Sequence, residues 1–173
     1  SVSFELVYGK RLYLGGTPAQ QLAVLNSLLQ DYRRRFPSMV TSAYIYLKDF
    51  CNPPKPRGAF PHYNLGNMTR VRFAIPFVSE LATLFNDGSD HDIQRKWCAH
   101  NCAKLHEIVF ESEYHILGDD LRDLQTACSA FLAHYKWLAS DAESNNNLVW
   151  RMTIQHHYMW HICVEARFVF SRC

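Results

Sequence analysis

Leu121-Arg122-Asp123-Leu124-Gln125-Thr126-Ala127-Cys128-Ser129-Ala130-Phe131-Leu132-Ala133-His134-Tyr135-Lys136-Trp137-Leu138 carries a clear helical pattern. Leu121, Leu124, Cys128, Phe131, Tyr135 and Leu138 recur at steps of three and four, the spacing that lines one face of an α-helix. Gly118-Asp119-Asp120 punctuates the chain before it, and Asn145-Asn146-Asn147 breaks it.

Upstream, Ser89 and Asp92 form the ends of a capping box, and Ile93, Trp97, Leu105 and Val109, joined by Cys98 and Cys102, predict an apolar stripe running toward Ile116. Downstream, Leu148 to Phe170 is apolar nearly all round, which predicts a central buried helix. Long antiparallel helices with short connections imply a mainly α protein, a helical bundle.

The N-terminal part reads differently. Val2 to Tyr8 alternates apolar and polar residues, which predicts a short strand, and with Arg11-Leu12-Tyr13-Leu14 a possible β-hairpin. Thr17, Pro18 and Gln20 then form a helix start, and Leu22, Leu25, Leu29, Tyr32 and Phe36 form the helix's apolar stripe. Arg33, Arg34 and Arg35 crowd its last turn, where cations favour the helix dipole, and Pro37 stops it. Val40, Tyr44 and Leu47 suggest another helix, followed by an extended loop at Pro53-Pro54-Lys55-Pro56-Arg57. Arg70 to Ile75 reads as a strand or lead-in, with Pro76 opening a helix through Leu81, Leu84 and Phe85. We expect one domain over residues 1–173, with a basic lobe over 1–58 and a helical bundle over 59–173, and find no internal repeat.

With 173 residues, 48% of them hydrophobic and 14% aromatic, the chain has ample apolar area for a core. Its charge is uneven. Residues 1–75 hold ten Lys or Arg against three acids, a net +7, whereas residues 76–173 are net −5. A lobe of that sign suits an anionic partner, either nucleic acid or an acidic protein surface, although a solvated face is the commoner meaning. Six cysteines lying mostly in apolar stretches read as reduced core residues of an intracellular protein, in nucleus or cytoplasm, with disulfides not expected. No apolar run is long enough to predict a membrane span. The start at Ser1 and the end at Cys173 without a helix-stop signal are those expected of a processed product or a fragment.

Three groups of residues carry candidate chemistry. His157, His161 and Glu165 fall at i, i+4 and i+8 on a helix face, a row able to hold a divalent metal such as zinc or iron. His100, His106, Glu107 or Glu111 from a neighbouring helix could complete such a site, but hydrogen-bonded core histidines are the commoner explanation. Cys98, Cys102 and His106 share the same spacing, yet zinc thiolates usually converge from a turn rather than from an apolar helix. Arg33, Arg34, Arg35, Lys55, Arg57, Arg70 and Arg72, interleaved with Tyr32, Phe36, Phe60, Tyr63 and Phe73, combine phosphate-binding cations with rings that stack on bases. No nucleophile elbow or glycine-rich phosphate loop is present, and Asp119-Asp120 and the Glu111, Glu113 pair read as helix-end and surface acids.

The run from Trp150 to His161 resembles the histidine-bearing helix of transposase-derived proteins of mobile elements, in which an all-helical segment inserts into a ribonuclease-H-like core ahead of its last catalytic acid. Phe131 to Lys136 and the acidic-to-asparagine linker after it are similar in character, and the resemblance spans residues 68–170. It implies nucleic acid as the partner. The metal-binding acidic triad of such proteins has no match, and its last acid would lie beyond Cys173, so the resemblance implies the helical portion, or a domesticated relative without activity. The sequence-based expectation is therefore a non-catalytic helical domain that binds a macromolecule, nucleic acid first, through its basic N-terminal half. A metal-dependent enzyme and a structural subunit of a larger assembly are the alternatives.

Overall fold

The computed structural model describes residues 2–8, 16–37, 45, 68–112, 116–146, 149–150 and 152–161. Among these the chain is mainly helical and forms no strand. The helices are α1 (Val2–Tyr8), α2 (Pro18–Arg35), α3 (Met68–Leu84), α4 (Asp90–Glu111), α5 (Gly118–Ser144) and α6 (154–161).

The expected N-terminal strand is corrected to a helix. Val2, Leu6 and Val7 are buried together, a spacing that one helical face supplies and an alternating strand does not. The second arm of the expected hairpin, Arg11 to Leu14, lies outside the described residues, as do the helix expected around Tyr44 and the proline-rich loop.

Helix α2 begins as its residues dictate. Thr17 accepts from the Gln20 N–H while the Gln20 side chain accepts from the Thr17 N–H at 2.7 Å, and Pro18 occupies the first turn. Leu25, Leu29 and Tyr32 bury their side chains, and Gln21 joins them. Asn26 reaches off the helix to the main chain of Ile45, accepting from its N–H and donating to its carbonyl, both at 2.8 Å. One side chain thus fixes a residue 19 positions away.

Residues 70–75 are also helical, and Pro76 lies inside α3 instead of opening it. Phe77, Leu81 and Ala82 form its buried face. The lost proline N–H removes one main-chain hydrogen bond, a cost the packing of this face offsets. Ser89 caps α4 by accepting from the Asp92 N–H at 3.3 Å, but the box is only half made. The Asp92 carboxylate turns instead to the Asp87 N–H at 3.2 Å and to Arg95.

Helices α4 and α5 pack lengthwise, as do α3 and α4, and α1 touches both α2 and α3. The pairs Lys104–Asp123, Gln94–His134 and His91–Asp141 run up one helix as they run down the other, so α4 and α5 are antiparallel. Leu138, fully buried, contributes on the order of 1.5–3 kcal/mol to the core. At the end of α5, Asn146 takes φ 52°, the left-handed turn that closes many helices and that asparagine tolerates well.

Three further expectations are corrected. In α4 the inward positions belong to Asp92, Arg95, Cys98 and Ala99, whereas Ile93, Trp97 and Val109 are exposed. The C-terminal segment is not a central buried helix over its described part, because Ile154 (62%), Tyr158 (59%) and Trp160 (51%) face outward. Cys98 and Cys102 are free, but Cys128 is in a disulfide, against the expectation that all six cysteines are reduced. Its partner lies outside the described residues. No helix among the described residues is long and apolar enough to cross a membrane.

Candidate functional site

Arg33, Arg34 and Arg35 sit together in the last turn of α2, as their sequence positions require. Each is placed by a neighbour. Arg33 donates to Gln30 at 3.3 Å, Arg34 pairs with Asp31, and Arg35 pairs with Glu80 across to α3. The Arg35 guanidinium also lies 5.4 Å from the ring centres of both Tyr32 and Phe36, within cation–π range. Phe36 keeps 42% of its surface exposed, so an aromatic face and three cations share one helix end. Lys55 and Arg57 lie outside the described residues, and Arg70 and Arg72 lie early in α3 with undescribed side chains.

A second polar cluster, which sequence reading missed, lies between α1, α4, α5 and Trp150. His91 points Nδ1 at Asp141 (2.7 Å) and Nε2 at both carboxylate oxygens of Glu5 (3.1 and 3.3 Å). Arg95, 1% exposed, reaches Glu5 at 3.5 Å, Asp92 at 3.0 Å and the Phe85 carbonyl at 3.0 Å. Trp150 donates its indole N–H to Glu5 at 2.6 Å. The Glu5 hydrogen bond raises the His91 pKa against the opposing effect of burial, and Asp141 adds to the rise. Burial alone would raise the Glu5 pKa, but hydrogen bonds from His91 and Trp150, with the charges of His91 and Arg95, hold it below the ordinary carboxylate value.

The cluster's chemistry is that of a clamp. Both ring nitrogens of His91 are engaged by carboxylates, so the imidazolium form is the one its surroundings favour. An imidazole held that way has no lone pair to offer a substrate. Nothing in the linear spacing announces it, since Glu5 is 86 residues from His91 and 145 from Trp150.

The histidines of α6 divide by function. Thr153 caps the helix by donating its N–H to His156 Nδ1 at 3.1 Å, and the His156 ring lies against Tyr135 and Phe131 of α5. Burial lowers the His156 pKa. Met159 O lies 3.6 Å from Cys128 Sγ, a further point at which α6 meets α5. His157 and His161, by contrast, turn their Nε2 atoms to each other at 3.0 Å. Glu165 lies outside the described residues. Among the described residues no group of three His, Cys, Asp or Glu side chains could hold a metal ion, so His100, His106, Glu107 and Glu111 do not complete a site with the pair.

The Cys98, Cys102, His106 spacing does not produce a zinc centre either. Burial drives both thiol pKa values up, that of Cys102 to about 11, and the neighbouring Cys102 adds to the rise at Cys98. Among the described residues the three make no group able to hold a metal ion. His106 lies against Phe110, with ring centres 4.5 Å apart. Asp119 and Asp120 occupy the first turn of α5, where the helix dipole favours them, and Asp119 pairs with Arg122.

No protein-family model, curated protein or solved structure matches the chain.

Proposed function

We propose that this chain is a helical binding module for a macromolecule, nucleic acid in first place, with the basic end of α2 as its contact surface. The observation that carries this reading is the grouping of Arg33, Arg34 and Arg35 with the exposed ring of Phe36. The Arg34 side chain is 77% exposed and that of Arg35 51%, so their pairs with Asp31 and Glu80 are held weakly against solvent. Exchanging a carboxylate for a phosphate at such a site costs little, while each phosphate neutralised releases counterions. The resemblance of Trp150 to His161 to transposase-derived proteins favours the same partner.

Fluorescence anisotropy with labelled single- and double-stranded DNA and RNA across a salt series tests the proposal. Binding should weaken steeply as salt rises, and replacing Arg33, Arg34 and Arg35 with Gln should reduce both affinity and salt slope, with helicity unchanged by circular dichroism. Binding that is unaffected by the triple replacement removes α2 as the contact surface. Absence of binding at low salt removes nucleic acid and leaves an acidic protein surface as the fitting partner.

A second reading, membership of a larger assembly, is favoured by the outward-facing Ile154, Tyr158 and Trp160 of α6. Apolar side chains grouped on a surface are often covered by another chain. Sedimentation of the full chain as a monomer at high concentration counts against self-assembly through this face.

A further inference from the structure

We propose that His157 and His161 form a surface site for a late first-row divalent ion, nickel(II) or copper(II) in preference to zinc or iron. The two rings stand one turn apart on α6, with Nε2 atoms 3.0 Å from each other, ring centres 4.5 Å apart and planes 83° apart. Metal–imidazole bonds are about 2.0–2.1 Å long, so two such bonds spanning this gap meet at roughly 91–97°. That is the angle between neighbouring ligands in a square-planar or tetragonal ion. A tetrahedral ion with the same bonds requires nitrogens about 3.3–3.4 Å apart, so zinc fits this pair less well.

The pair is built before any ion arrives. His156 against Tyr135, the Thr153 cap and the Met159 contact with Cys128 seat α6 on α5, which fixes the direction in which positions 157 and 161 project. His157 is exposed and His161 half-buried, so water or a partner's ligand has access to the remaining coordination positions. The two Nε2 atoms face each other at hydrogen-bond distance, so both point to the place an ion would take. In the bound form both Nε2 lone pairs would face the ion, with the ring protons on Nδ1. Two imidazoles and open positions suit ions that bind nitrogen strongly, and affinity for such a set rises from manganese to copper and falls again at zinc. Glu165 is no part of the proposal.

Trp160 supplies a reporter. Its ring stacks near His157 at 6.4 Å and meets His161 edge-on at 5.2 Å, close enough for bound copper(II) to quench it. The experiment uses the full chain freed of metal by a chelator, titrated with nickel(II) and zinc(II) by calorimetry, and with copper(II) by indole fluorescence. Trp160→Phe identifies the fraction of quenching that originates at this site. We expect nickel to bind at least tenfold more tightly than zinc. His157→Ala, His161→Ala and the helix-compatible His157→Gln should each weaken nickel at least tenfold while circular dichroism is unchanged. Nickel affinity that survives the double replacement of His157 and His161 overturns the site, and a preference for zinc overturns the tetragonal assignment. Neither result bears on the arginine surface of α2, which the nucleic-acid measurements test separately.

Discussion

Trp150 closes over Glu5 with a 2.6 Å hydrogen bond from its indole nitrogen, joining residues 145 positions apart. Trp150 is 5% exposed and also meets Tyr135 edge-on at 5.2 Å, so its ring is core while its nitrogen serves the carboxylate. Trp150→Phe keeps most of the packing and deletes the donor to a charged acceptor. It should cost about 1.5–3 kcal/mol in urea unfolding. A loss below about 0.5 kcal/mol would show that Glu5 draws no stability from this bond.

The pH dependence of stability follows from the same cluster. His91 titrates above its ordinary 6.5 in the folded chain, so its contribution is complete below that value and is lost as pH rises through the raised one. Glu5 titrates below its ordinary 4.5, so its contribution is complete above that value and is lost as pH falls through the lowered one. The two overlap fully between 4.5 and 6.5. His134 and His156 act against this on the acid side, because burial lowers their pKa values and the unfolded chain takes up their protons first. The difference between the wild type and His91→Gln isolates the cluster. It should be largest near about pH 6 and shrink toward about pH 9 in denaturant titrations, and a constant difference would contradict the paired imidazolium.

Arg34→Gln separates binding from folding. Because the pair with Asp31 is exposed, stability should change by less than about 1 kcal/mol, whereas nucleic-acid affinity at low salt should fall. Unfolding midpoints and anisotropy on the same preparation check both, and an unchanged affinity would place the contact elsewhere.

Cys98 is 3% exposed, and burial keeps it and Cys102 protonated. Neither should react with a thiol-specific reagent in the native protein near about pH 8, and both should react once it is unfolded. Peptide mapping by mass spectrometry after a timed exposure distinguishes the two states. Rapid native labelling at Cys98 would mean that the contact between α3, α4 and α5 opens readily.

Leu138→Ala should destabilise by about 2–5 kcal/mol, since it leaves a cavity in the core. Ile154→Ser, at a position 62% exposed, should change stability by no more than about 0.5 kcal/mol. Equal costs for the two would return α6 to the interior.

What the sequence disclosed depended on how local the cause was. Thr17, Pro18 and Gln20 start α2 through contacts within one turn, and Leu121 to Leu138 form a stripe that α5 uses almost as read. Val2 to Tyr8 failed because its alternation of apolar and polar residues reads as a strand, whereas packing against α2 and α3 buries Val2, Leu6 and Val7 together, as a helical face does. In α4 the apolar count misled for a different reason. Asp92 and Arg95 take inward positions as an ion pair, displacing Ile93 and Trp97 to the surface. At the candidate sites, the arginine run and the histidine row were visible because each is local, although Glu80, the partner of Arg35, was not. The Glu5 cluster was invisible because Glu5 lies 86 residues from His91 and 145 from Trp150, beyond any local window.

The hydrogen bond between Glu5 and Trp150 also sets an order of events during synthesis. At roughly 5–20 residues per second, on the order of 10–30 s separate the appearance of one partner from that of the other. Over that interval α1, seven residues long, is too short to hold its helix unaided. Glu5 therefore waits for Trp150, and the nascent chain carries Leu6 and Val7 uncovered until α2 and α3 have arrived to receive them.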